Sequence, residues 1–294
     1  MYEDIRVMIK NKDKQIPISL INMSNIYLQQ QNFMQFLNDY ADGYCLVDAS
    51  GITGTDCYCD DLALQQLTKI LADISVYGIH YIDGGNYHYL SKIFTDKLKQ
   101  SFDLVVFDHH HDMQPPLFGQ ILSCGGWIKE VLDNNTFLNQ VVIIGVQDEL
   151  ITQDIRTQYT QVQFITENEI IGLFGNTSKD IGKDSILLDK KNLLLNEKVV
   201  QYIFDKIHIE YPVYISIDKD VLSKEQYQTN WDQGILTIKC LKSLLSLMVK
   251  QYQVLGMDIC GEMDEAMQKQ YGYKWNETNG QFNIDLLTSL VLCK

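Results

Sequence analysis

Along most of the chain, short apolar and β-branched runs alternate with longer stretches of helical period. Tyr44–Asp48 (YCLVD), Ile79–Asp83 (IHYID), Leu104–Asp108 (LVVFD), Val141–Val146 (VVIIGV), Val162–Thr166, Val213–Asp218 (VYISID) and Val254–Ile259 (VLGMDI) read as strands. Between them, Asp61–Ile74 carries Leu62, Leu64, Leu67, Ile70 and Leu71 at helical spacing. Further helices are predicted near Tyr89–Leu98, Glu197–Ile207, Ile238–Lys250 and Ile284–Leu292. Apolar strands separated by helices imply an α/β fold with a mainly parallel sheet covered on both faces. Met1–Asn38 is less regular and reads as an edge element and a helix. Asn176–Asp189 is polar and reads as a loop holding a short strand at Ile186–Leu188. No compositional break divides the chain. We therefore expect one domain over 1–294, with 1–40 as its less regular N-terminal edge element.

Composition narrows the partners. A formal charge of -14 repels phosphate backbones and argues against nucleic acid, while suiting a cationic small molecule or divalent metals. No apolar run approaches the roughly 18 residues of a membrane span. The seven cysteines are odd in number and scattered, with no C-x-x-C pair. Cys57-Tyr58-Cys59 is a C-x-C, and reduced thiols are its expected state. N-x-S/T triplets stand at Asn22, Asn134, Asn176 and Asn276, but the start of the chain lacks the apolar region of a secretory signal. A cytoplasmic protein is the expectation, with a homo-oligomer compatible with it.

The candidate chemistry lies at the strand ends. Val105-Val106-Phe107 runs straight into Asp108-His109-His110-His111-Asp112. In an extended chain Asp108, His110 and Asp112 share one side, and His109 and His111 the other. Carboxylates at the end of a buried strand need a partner, because burying them unpaired is costly. Tyr214-Ile215-Ser216-Ile217-Asp218-Lys219-Asp220 repeats the pattern with a second Asp-x-Asp. Alone that is a common surface turn. Together the two segments offer four carboxylates and an imidazole at the carboxyl ends of parallel strands, where α/β proteins gather ligands. Their charge of -4 matches two divalent ions, and the oxygen and nitrogen donors suit manganese, iron or zinc better than calcium. A third segment, Asp83-Gly84-Gly85-Asn86-Tyr87-His88, brings a histidine to a helix start, equally readable as a ligand or a surface group. In a fourth, Asp258 and Glu262 either hold a cationic group of a substrate or cap the next element.

These segments resemble a known superfamily. Asp108-His109-His110-His111-Asp112 looks like the D-x-H-x-D of the ureohydrolases, which include arginase, agmatinase and formiminoglutamase. Ser216-Ile217-Asp218-Lys219-Asp220 looks like their S-x-D-x-D, and Gly84-Gly85-Asn86-Tyr87-His88 is similar to their G-G-D-H turn with one extra residue. The resemblance implies a three-layer αβα sandwich holding two manganese ions. Asp108 and Asp218 would bridge the ions, His88 and Asp112 would complete one, and His110 and Asp220 the other. It implies a bridging hydroxide, oriented by Asp112, that attacks a guanidino or amidino carbon of a small molecule. Glu262 would then hold the cationic group.

The sequence departs from the family pattern at three places. Ser123-Cys124-Gly125-Gly126-Trp127 stands where the family carries S-x-x-x-H-G, so its shuttle histidine is missing, and the candidate substitutes are His111 and the metal-bound hydroxide acting with Asp112. Glu262 follows Asp258 by four positions rather than three, with no Asn-Pro after it. The P-G-T-G-T-like segment is reduced to Thr229-Asn230-Trp231-Asp232-Gln233-Gly234. A one-metal deacetylase of the same fold would not need Asp112 and Asp220. A DHH-type phosphoesterase matches Asp108-His109-His110, but its Asp-x-Asp precedes that motif. A metal- or ligand-binding protein without turnover stays open as the alternative to a hydrolase.

Overall fold

The computed structural model describes residues 16–40, 43–116, 119–173, 193–272 and 274–291. The loop expected at Asn176–Asp189 and its strand at Ile186–Leu188 lie outside these residues. The strands are β1 (Ile18–Asn22), β2 (Cys45–Asp48), β3 (Tyr58–Cys59), β4 (Ile79–Tyr81), β5 (Phe102–Phe107), β6 (Leu122–Ser123), β7 (Leu138–Val146), β8 (Val162–Thr166), β9 (Val213–Asp218) and β10 (Val254–Cys260). Eight of them form one sheet in the order β2-β1-β4-β10-β9-β5-β7-β8, and β3 and β6 pair separately as an antiparallel ribbon. Every pairing in the large sheet is parallel. The segment expected as an edge element instead places β1 inside the sheet, between β2 and β4. β2 is the edge, and its mostly exposed side chains follow from that.

Alternation along the central strands sends side chains into two separate cores. Val105 and Phe107 of β5, with Ile215 and Ile217 of β9, face one layer of helices. That layer includes Leu241, Leu244 and Met248 from the helix Ile238–Gln251 and Leu286 and Leu290 from Lys274–Val291. Leu104 and Val106, with Tyr214, face Leu67 of Asp61–Ile70, Phe94 of Leu90–Thr95 and Ile128 of Trp127–Asn134. The result is the three-layer αβα sandwich with a parallel sheet. β5, β9 and β10 are buried along their whole length, which is why their sequences read as continuous apolar runs.

Several described helices depart from the periodicity, two of them near the core and the site. Lys274–Val291 starts ten residues before the expected Ile284, because its first half (KWNETNGQFN) is mostly polar. Trp127–Asn134 was not expected at all, being short and directly after a Gly-Gly pair.

Topology sets the position of the site. After β5 the sheet continues to β7 on one side, and after β9 it continues to β10 on the other. β5 and β9 are adjacent, so their connections diverge, leaving a crevice beyond their carboxyl ends.

One buried group gives the fold a pH dependence. His80 on β4 is fully buried, stacked on Phe94 at 4.1 Å and 8°, with Nε2 3.2 Å from the Val76 carbonyl. Burial lowers its pKa to about 4. The unfolded chain therefore takes up a proton on this ring between about pH 6.5 and 4 that the folded chain refuses, and stability falls as pH falls. The loss is at most about 1.4 kcal/mol per pH unit across that window. His80→Gln should flatten the difference in urea midpoint between pH 6.5 and 4.5 relative to wild type. Equal slopes in the two proteins would show that His80 titrates normally.

Candidate metal centre

Three of the four aspartates of the crevice are braced by backbone N–H groups, and all four turn an oxygen inward. Asp108 Oδ1 accepts the His110 N–H at 2.6 Å, Asp218 Oδ1 accepts the Asp220 N–H at 2.9 Å, and Asp220 Oδ1 accepts the His109 N–H at 3.0 Å. Their Oδ2 atoms are left for the cluster. Asp112 arrives differently. The chain does not stay extended after β5, and Asp112 has a left-handed φ of 45°, so strand alternation is not what turns it inward. Its Oδ2 accepts the indole N–H of Trp127 at 2.8 Å.

His88 closes the cluster from the Gly-Gly turn. Its Nδ1 lies 2.9 Å from Asp112 Oδ2, 3.3 Å from Asp108 Oδ2 and 3.6 Å from Asp218 Oδ2. Its Nε2 meets Ser216 Oγ at 2.8 Å, and Ser216 in turn donates to Asp258 Oδ1 at 2.6 Å. Asp258 thus orients the ring of His88 through a serine, the kind of outer support that metal-ligating histidines use. Gly85 makes the approach feasible, since a Cβ there would sit 3.0 Å from Asp218 Oδ2 and 2.9 Å from Trp231. His110 Nδ1 lies 2.8 Å from Asp220 Oδ2 and 3.6 Å from Asp108 Oδ1.

Two ligand groups emerge, His88–Asp108–Asp112 and Asp108–His110–Asp220, sharing Asp108. Asp218 joins His88 and Cys260 in a third, with the Cys260 thiol 3.2 Å from Asp218 Oδ2. His88 Nδ1 and Asp108 Oδ2 are buried and have no hydrogen-bond partner, although groups of this polarity are rarely left so. The pKa values show the same demand for positive charge. Burial, then Asp220 and Asp108, raise Asp218 to about 7, and burial with Asp108 raises Asp220. Burial disfavours the charged form of His110, yet Asp220 and Asp108 outweigh it and raise the ring to about 12. Burial likewise opposes a charged His88, but Cys260, Asp108 and Asp112 overcome it and raise it well above the ordinary value.

The cluster opens into a pocket of about 180 Å³ walled by Cys57, Tyr58, Gln114, Ser123, Cys124 and Trp231. Among the described residues, its walls beyond the cluster carry no charged side chain. The structure brings His88, Asp108, His110, Asp112, Asp218 and Asp220 together, and leaves two of the expected residues out. His111 is buried, does not line this pocket, and accepts the Met113 N–H on Nδ1 at 2.8 Å. Glu262 sits behind the cluster, where its carboxylate pairs with the fully buried Lys219 and accepts from Gln30 at 2.6 Å, Asn283 at 2.7 Å and Tyr227 at 3.0 Å. It is committed to a buried ion pair rather than to a substrate clamp. His109, on the other side of the segment, lies 3.2 Å from Glu167. Sequence reasoning missed Trp127 and Cys260, which no motif marks. It also missed Ser216 as the support of His88, which its position two residues before Asp218 could have suggested.

No protein-family model matches the sequence. A protein of Thermotoga maritima described as uncharacterised is 28% identical over 187 residues, 64% of this chain; the chain spans 59% of that relative's length. The fold is similar to that of Trypanosoma cruzi formiminoglutamase with Mn2+, with a TM-score of 0.61 at 13% identity, over 100% of this chain and 98% of that one. It is similar to proclavaminate amidino hydrolase from Streptomyces clavuligerus, at 0.60 and 15%, over 95% and 91% of the two chains. It is also similar to formimidoylglutamase from Bacillus subtilis, at 0.59 and 15%, over 99% and 92%. The chain has an arginase-type αβα fold, and at 13–15% identity the likeness to these structures is one of fold.

The buried pair separates structural from chemical roles. Glu262→Gln leaves the Lys219 charge uncompensated at zero exposure, so it should cost about 3 kcal/mol or more of stability in a denaturant titration. A loss below about 1 kcal/mol would mean that Lys219 finds another anion, and would reopen a role for Glu262 at the pocket.

Proposed function

We propose that this chain is a divergent member of the ureohydrolase superfamily whose cluster holds two divalent cations, manganese by preference. We further propose that it hydrolyses a C–N bond of a small guanidino or amidino compound. The observation that carries this reading is the pair of facing, buried atoms without hydrogen-bond partners, His88 Nδ1 and Asp108 Oδ2, set within two ligand groups that share Asp108. The donor set of carboxylate oxygens and imidazole nitrogens fits such ions. The similar folds of the T. cruzi formiminoglutamase with Mn2+ and of the amidino hydrolase support it.

His88, Asp108 and Asp112 would hold one ion and Asp108, His110 and Asp220 the other, with Asp218 between them. Two cations bound there supply Lewis acidity that makes water a nucleophile near neutral pH. The chain's own contribution is orientation. The Trp127 indole pins Asp112 at 2.8 Å, leaving it placed to orient a water and accept its proton. Ser123 and Gln114 offer neutral hydrogen-bonding groups to a planar N–C–N unit. Burial on β5 and β9 excludes bulk water from the rear of the cluster.

One specific observation favours the alternative, a metal- or ligand-binding protein without turnover. Glu262 is sequestered, and His111 lies off the pocket, so His110 is the one histidine among the pocket-lining residues. General acid–base assistance is worth about 10²–10⁴-fold, and a hydrolase lacking it is slow unless its leaving group needs no proton. The six described cysteines are free, which suits a reducing compartment. None of the described helices is long and apolar enough to cross a membrane.

After dialysis against manganese, elemental analysis should find about two ions per chain, and Asp218→Asn should abolish the accompanying rise in melting temperature. His109→Asn should leave that rise intact, because its ring faces Glu167 rather than the cluster. Fewer than about one ion per chain in wild type would remove the reading altogether.

Turnover is a separate question. Ammonia or urea release from a panel of guanidino and amidino compounds should identify a substrate for the manganese-loaded protein. His111→Asn should change that rate little. A metal-loaded protein inert across the panel would leave the binding-protein reading standing.

A further inference from the structure

The pocket wall carries a pair of cysteines that the proposed hydrolysis does not use. β3 and β6 run antiparallel with Tyr58 opposite Ser123 and Cys59 opposite Leu122. One step further, Cys57 faces Cys124, and the Cys124 N–H donates to the Cys57 carbonyl at 2.9 Å. One backbone hydrogen bond joins the two, and facing residues of an antiparallel pair lie about 4.5–5.5 Å apart at Cα, inside the range a disulfide spans. Regular alternation would put Cys57 and Cys59 on one face. Cys57 instead has a left-handed φ of 57°, and the two side chains part. Cys59 enters the core, while Cys57 stays half-buried and lines the pocket with Cys124.

The two thiols are unequal. The Cys124 thiol beside it lowers the Cys57 thiol from the ordinary cysteine range, against burial and the Asp56 carboxylate to which Cys57 donates at 4.0 Å, while the contact with Cys57, with burial, raises Cys124. Cys57 is thus suited to attack and Cys124 to resolve. The other described cysteines make no such pair: Cys45 is exposed on the edge strand β2, and Cys240 and Cys260 are buried.

We propose that Cys57 and Cys124 form a reversible disulfide site on the wall of the pocket, which reacts with small-molecule disulfides of the glutathione type. The Cys57 thiolate attacks one sulfur of the oxidant and displaces a thiol, leaving a mixed disulfide on Cys57. Cys124 gives up its proton and attacks the Cys57 sulfur, which releases the second thiol. Two electrons and two protons pass from the cysteines to the oxidant, which ends as two thiols. The new bond removes both thiol groups from the pocket wall. It also ties the ribbon to the turn preceding Trp127, whose indole holds Asp112.

The test uses the full chain with oxidised glutathione, followed by alkylation of remaining thiols, tryptic digestion and fragmentation mass spectrometry. The expected product is a Cys57–Cys124 link that dithiothreitol reverses. Before oxidation, Cys57 should alkylate roughly tenfold faster than Cys59 or Cys240. Cys124→Ser should convert the link into a lasting mixed disulfide on Cys57, and Cys57→Ser should leave Cys124 unmodified. The proposal is overturned by any of three wild-type results: a mixed disulfide persisting on Cys57 with Cys124 free, a link through Cys59 or Cys45, or both thiols still alkylated after oxidation. Metal content plays no part in these readouts, so the result stands whether or not the cluster binds manganese.

Discussion

Four carboxylates packed at the ends of two adjacent buried strands repel one another, and much of the surrounding structure answers that repulsion. Asp108, Asp218 and Asp220 each yield one oxygen to a backbone N–H, which both fixes the side chain and neutralises part of its charge. Asp112 reaches the cluster through a backbone angle that costs energy for a non-glycine residue, and the Trp127 indole then holds it. Gly85 and Gly261 admit the aspartates where any Cβ would collide with Asp218 oxygens, at 3.0 and 2.5 Å. A fold seeking stability alone would not collect these features in one crevice. They make physical sense when positive charge completes them.

How far the sequence disclosed this depends on which physical signal each residue carried. The strands were legible because two-sided burial forces continuous apolar runs, and the clustering of carboxylates was legible because Asp108 and Asp218 end those runs directly. The order of the strands was less so: β1 lies inside the sheet rather than at its edge, and no local pattern distinguishes the two when the neighbours are distant in sequence. Asp112 lies beside the other carboxylates, but by a geometry other than strand alternation. Alternation predicts its side only in an extended chain, and the chain turns at that residue.

Glu262 shows the opposite failure. A carboxylate at a strand end near other ligands looks functional in sequence, and so does Glu262. What decides its role is Lys219, which lies between Asp218 and Asp220 but points to the rear, over the rings of Tyr227 and Tyr27 at 5.1 and 5.9 Å. A fully buried ammonium needs an anion, and Glu262 is the one that hydrogen bonds from Gln30, Asn283 and Tyr227 hold in place. The partner that fixes the role lies 43 residues away in sequence, and Gln30 232 away, so no motif could show it.

The front and the rear of the site therefore obey different constraints. Around the ligands, nearly every atom is specified by a hydrogen bond or a close contact, and a substitution there disturbs several neighbours at once. The pocket wall is built from Cys57, Tyr58, Gln114, Ser123, Cys124 and Trp231, which come from the ribbon and from loops whose backbones are less constrained by the sheet. Such a wall can change its chemistry without moving the cluster. A wall without charged side chains gains little by attracting a cation, since the cluster itself supplies the negative field until it is neutralised. Under the proposed function, with cations balancing the cluster, selection among small molecules would rest on shape against Trp231 and Tyr58 and on neutral hydrogen bonds. Discrimination of that kind is strong against an analogue that leaves a buried polar group unpaired, and weak against one that differs by a methylene.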